Sequence, residues 1–88
     1  MSSKIIEYDL RQPGRNYDEL YDAIKEYSTW AHITESTWFI NTDETCVQVR
    51  DKLMKLMDNN DSLFVGELRG IAAWNNTLCD SQYLKDHL

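Results

Sequence analysis

Asp9 and Glu7 are the residues of this 88-residue chain whose type and spacing best suit chemistry. They stand two apart in Lys4 to Leu10 (KIIEYDL), so an extended backbone puts both carboxylates on one strand face. Asp9 ends that strand beside a loop carrying Arg11, Pro13, Gly14 and Arg15. A carboxylate in such a place suits a hard cation such as Mg²⁺, which takes one or two carboxylates and keeps several waters, with Asp9 as ligand and Glu7 as helper. In a twofold dimer that joins the ends of strand one, an Asp9 from each chain would face a shared substrate, and the metal would activate water for phosphodiester cleavage. Arg11 and Arg15, the closely spaced basic pair of the first half, are the matching phosphate contacts. The competing structural reading has Asp9 accepting backbone N–H groups of the turn, and both arginines balancing Asp9 and Asp18 at the surface.

Other candidates carry less. His32 and His87 have no zinc-site spacing to Cys46 or Cys79, and His32 reads as a structural or interface residue. Asp58 to Asp61 lacks the alternating ligands and the glycine of a calcium loop. No glycine-rich phosphate motif and no Ser/His/Asp set is suggested. Arg50, Lys52 and Lys55 read as the solvated face of a helix. Trp30, Trp38 and Trp74 would either stack on rings or fill a core and an interface.

The elements that must hold these residues follow from periodicity. Ile6, Tyr8 and Leu10 alternate with Ile5, Glu7 and Asp9 in the first strand, which Pro13 and Gly14 stop. Asn16 is the expected N-cap of a helix bearing Tyr17, Leu20, Ile24 and Tyr27. Trp30 to Asn41 is extended, either one bent strand or two segments around Thr34-Glu35-Ser36. Thr42 and Asp43 are the expected cap of a second helix with Cys46, Val49, Leu53 and Leu56 inward and Met57 beside them. Ser62 to Leu68 is the last strand, Asn75-Asn76 a turn, and Ser81 to Leu88 a short helix or an extended arm. The order is β-α-β-β-α-β, an α+β, ferredoxin-like sandwich with two helices on one face of an antiparallel sheet. We divide it into one domain, residues 1–80, and a tail, residues 81–88. The other sheet face would be bare, which predicts a homodimer through sheet edges or open faces.

Composition sets the outer bounds. Hydrophobic residues at 42% and charged residues at 27% describe a folded globular domain with a marginal core, for which a second copy is a ready source of burial. A net charge of −6 argues against avid, non-specific DNA binding and leaves room for a local basic patch. No apolar stretch is long enough to cross a membrane, no secretory leader opens the chain, and two cysteines make no disulfide framework, so we expect reduced thiols in a cytoplasm.

With Tyr8-Asp9-Leu10 ending the first strand, Gly14-Arg15-Asn16-Tyr17 opening the helix, Ser36-Thr37-Trp38 and Leu63-Phe64-Val65 in later strands, the chain resembles a group of small ferredoxin-like proteins. These are the CRISPR-associated adaptation proteins of the second type and virulence-associated protein D. The resemblance implies a homodimer and a metal-dependent nuclease acting on RNA or DNA, with Asp9 at the position of the metal ligand. Size and acidity also suit a second role, a non-catalytic phage or mobile-element factor that binds a host defence protein or sequesters a small nucleotide between protomers.

Overall fold

A computed structural model describes residues 1–12 and 14–88. In chain order the elements are β1 (Ser2–Asp9), α1 (Asp18–Lys25), β2 (Thr29–Thr34), β3 (Thr37–Thr42), α2 (Cys46–Met54), β4 (Ser62–Leu68) and α3 (Ser81–His87). The strands form one antiparallel sheet in the order β2-β3-β1-β4. Each helix crossover therefore spans one intervening strand, α1 passing β3 and α2 passing β1. The region from Trp30 to Asn41 is a hairpin of two strands, with a register shift between His32 and Thr34. Pro13, the expected stop of the first strand, lies outside the described residues.

The helix starts differ from expectation by local hydrogen-bond chemistry. Asn16 Oδ1 accepts the Asp18 N–H at 2.8 Å, yet the cap position of α1 is Tyr17. α2 opens after Thr45 rather than at Thr42-Asp43. Thr45 Oγ1 accepts from the Gln48 N–H (3.1 Å) and Gln48 Oε1 accepts from the Thr45 N–H (2.8 Å), a reciprocal box that satisfies two donors at once. Thr42 Oγ1 instead accepts the Glu44 N–H and shapes the turn before it. Both helices are shorter than their apolar stripes, leaving Tyr27, Leu56 and Met57 in the turns that follow.

α1 and α2 cover one sheet face, where Leu20, Ile24, Val49 and Leu53 meet Ile6, Tyr8, Trp38 and Ile40. Lys4, on the same side of β1 and buried, bonds Glu67 across the β1–β4 ladder at 3.2 Å. The opposite face is not bare. The chain beyond β4 folds back over its β2–β3 half, and Leu84 of α3, 2% exposed, packs with Ala31 and Phe39, flanked by Ile5, Ile33, Trp74 and Tyr83. The tail carries enough apolar surface to supply this cover from within the chain, so the motive for burying that half against a second copy is removed. Tyr83 Oη accepts the Trp30 N–H at 3.2 Å, the Leu78 N–H donates to Ile33 O at 2.8 Å, and Asn41 Nδ2 donates to His87 O at 3.0 Å. At the β4 margin of the same face Phe64 remains 65% exposed.

Candidate functional site: an aromatic cleft at the end of β1

The alternation of β1, β2 and β3 directs Tyr8, Trp30, His32 and Trp38 to the α1 side of the sheet, with His32 paired opposite Trp38. Tyr21 and Lys25, four apart on α1, share one side of that helix. The six side chains form a single cluster. The His32 ring stacks flat on Trp38, centroids 3.9 Å apart and planes within 8°. Tyr21 lies 6.3 Å from both Tyr8 and Trp38, and Trp30 lies 5.8 Å from Trp38. Lys25 Nζ sits over the Trp30 and Trp38 rings at 5.6 and 6.0 Å, within cation–π range.

Hydrogen bonds hold this arrangement. Trp38 Nε1 donates to Tyr8 Oη at 2.9 Å, and Tyr8 in turn donates to Glu35 O in the β2–β3 turn at 3.2 Å. Burial pushes the Tyr8 phenol up to about 12, against the opposing effect of the Trp38 donor, so Tyr8 stays neutral and acts as a fixed strut. Two adjoining hollows open here. One, about 250 Å³, is lined by Tyr8, Tyr21, Lys25, His32, Glu35 and Trp38. The other, about 290 Å³, shares Tyr8, Tyr21 and Glu35 and continues to Asp9, Leu10 and Ser36.

Asp9 therefore stands at the rim of the cleft. Its Oδ2 accepts from Arg11 Nε (3.2 Å) and Nη2 (3.1 Å). Glu7 shares the strand face with Asp9, as the alternation predicts, but both its oxygens are engaged, Oε1 by Ser36 Oγ of the β2–β3 turn at 2.9 Å and Oε2 by Thr37 Oγ1 at the start of β3. The two carboxylates thus point their bonds at different elements, and among the described residues Oδ1 of Asp9 receives no hydrogen bond. Among the described residues no three His, Cys, Asp or Glu side chains gather as a metal site.

The turn-capping role expected of Asp9 is filled by Asp61. Its Oδ1 accepts the Arg11 N–H (2.8 Å), and its Oδ2 accepts the Asp58 N–H (2.8 Å) and the Tyr17 hydroxyl (2.7 Å). Partial burial pushes the Asp61 carboxyl up, but these donors outweigh it and hold it below its ordinary range. Arg11 and Arg15 both brace the α2–β4 loop. Arg11 Nη1 donates to Asn60 O (3.2 Å), while Arg15 Nη2 donates to Leu56 O (3.3 Å) and Nη1 lies 3.7 Å from Asp58.

A larger hollow of about 420 Å³ lies between α1, the end of β3 and α2. There Glu44 accepts from Lys52 Nζ (2.6 Å) and Tyr27 Oη (2.7 Å), which together lower its carboxyl and satisfy all three groups. No family model matches the chain, and no solved structure matches it.

The sequence weighed Trp30 and Trp38 for stacking and His32 for a structural place, but did not join them to Tyr21, Lys25 and Glu35. The available signal was the four-residue spacing of Tyr21 and Lys25 on the helix that crosses next to Trp30.

Proposed function

We propose that the protein is a ferredoxin-like, homodimeric binding module whose aromatic cleft takes a small planar anion of the mononucleotide class. The observation that carries this reading is the ammonium of Lys25 held over two indoles beside a stacked imidazole. The outer faces of His32, Tyr21 and Trp30 present ring surface to a base, Lys25 supplies one charge for one phosphate, and the exposed Glu35 carboxylate supplies an acceptor for an exocyclic amine. One cation, Lys25, among the described lining of the cleft, in a chain of net charge −6, suits a monophosphate better than a polynucleotide, whose binding rests on many phosphate contacts. Sequestration of a nucleotide by a phage or mobile-element factor in a cytoplasm fits this reading, and binding of a host defence protein would use the same fold without the cleft.

The second reading, a metal-dependent endonuclease, draws on Asp9, which lies at the cleft rim with one carboxylate oxygen that takes no hydrogen bond from the described residues. One experiment separates the two. The protein and its Asp9→Asn variant are incubated with labelled RNA and DNA in Mg²⁺, Mn²⁺ or EDTA, and in parallel melted with nucleoside monophosphates. The module reading expects intact polymer in every lane and a melting shift that grows as RT ln(1 + [L]/Kd), about 2.7 kcal/mol at a hundredfold excess over Kd. Metal-dependent cleavage that Asp9→Asn abolishes would establish the nuclease instead.

A further inference from the structure

The two edges of the sheet are treated differently. The outer edge of β2 is closed by the chain itself, since the Trp30 N–H bonds Tyr83 Oη and Ile33 O receives the Leu78 N–H. A register shift further interrupts that strand. The outer edge of β4 has none of these devices. Ser62 to Leu68 pairs with β1 in unbroken register over seven residues, contains no Pro or Lys, and among the described residues makes no backbone hydrogen bond beyond β1. The strand carries one charge, Glu67, held by Lys4 and Arg69, and an open edge in unbroken register is a template for another strand.

We propose that this edge is the homodimer seam, β4 pairing antiparallel with β4 of a second copy about a twofold axis at Val65 to make one continuous eight-stranded sheet. This rests on the homodimer part of the reading above and gives it a location. It is independent of the cleft, which is built on β1, β2, β3 and α1.

Self-complementarity selects a second copy as the occupant. In that register Phe64 of each chain faces Gly66 of the other on one side of the sheet. The Phe64 ring already folds over its own Gly66, where a Cβ would come within 2.8 Å of it, so the glycine leaves room for an aromatic ring from either strand. On the other side α2 lies against β4, and Met54 lines a hollow with Leu63. Val47, Arg50, Asp51 and Met54 occupy one stripe of α2, with Val47 and Met54 each 54% exposed. An antiparallel α2 pair centred between Arg50 and Asp51 sets Val47 against Met54 of the partner and Arg50 against Asp51 of the partner, apolar on apolar and plus on minus at both ends of the twofold. The Arg50–Asp51 pair, 2.8 Å apart within one chain, is half-exposed and able to bridge across.

The test is sedimentation velocity over a concentration series of the wild type, Arg50→Asp, the charge-swapped double variant Arg50→Asp with Asp51→Arg, and Phe64→Lys. All three positions are exposed, so the fold is kept, and the far-ultraviolet spectrum and melting curve check it. We expect a wild-type dimer, at least a tenfold rise in its dissociation constant in Arg50→Asp and in Phe64→Lys, and recovery in the double variant. A dimer indifferent to all of these substitutions would overturn the seam and leave the homodimer standing. A wild type that sediments as a monomer throughout would overturn both, while leaving nucleotide binding by the cleft to its own assay.

Discussion

At the residue scale, the acidic side chain with the most structural consequence is Asp61, not Asp9. It joins the loop after β1, the start of α1 and the turn before β4 through two backbone N–H groups and a tyrosine hydroxyl. Asp61→Ala leaves those donors unpaired and should cost about 1 to 2 kcal/mol at neutral pH. Because the folded-state carboxyl lies below its ordinary value, its contribution is complete above the unfolded pKa of about 4 and is lost as pH falls through the lower folded value. Thermal melts of both proteins from pH 7 down to about 2 should therefore show a gap that closes in acid. A gap of constant size would mean the effect is packing rather than charge. This role was illegible in the sequence, where Asp61 is one of two acids in a polar turn and two of its partners, Arg11 and Tyr17, lie 50 and 44 residues upstream. Asp9 was visible because it ends a strand; its pairing with Arg11 depends on how the loop folds back.

Elements were more legible than contacts. Alternation finds β1, though the strand runs Ser2–Asp9 rather than from Lys4 to Leu10; β4 coincides with the expected Ser62 to Leu68, and the two core helices follow from apolar residues three and four apart. The capping box at Thr45 and Gln48 was missed because Thr42-Asp43 offers an equally plausible cap, and only the reciprocal bond decides between them. The larger surprise is α3. Its stripe of Tyr83, Leu84 and Leu88 is too short to declare a period, and its place depends on an apolar sheet face that the chain order alone does not show as uncovered. Leu84→Ala should lower stability by about 2 to 4 kcal/mol, as for other fully buried leucines, measured by denaturant unfolding. A loss below about 0.5 kcal/mol would identify α3 as a loosely held arm, of the kind surface substitutions report.

On the scale of the whole molecule, a four-stranded antiparallel sheet with two helices on one face and a folded-back tail on the other explains why this small chain is ordered. It also separates two surfaces. The β2 side carries the aromatic cleft and is sealed along its edge by the tail; the β4 side is open and flanked by exposed Phe64, Met54 and Val47. Fold class followed from the order of strand and helix patterns, whereas the cleft did not, because its lining comes from three strands, a helix and a turn. Its function as a ligand site is the central claim, and nuclear magnetic resonance of the ¹⁵N-labelled protein tests it most directly. The Trp30 and Trp38 indole N–H signals, with the amides of Tyr21, Lys25, His32 and Glu35, should shift and saturate together as a nucleoside monophosphate is added. Signals from Val47, Met54 and Phe64 should stay in place, and Lys25→Glu should abolish the response. Indole and cleft amide signals that do not move at millimolar nucleotide would contradict the claim.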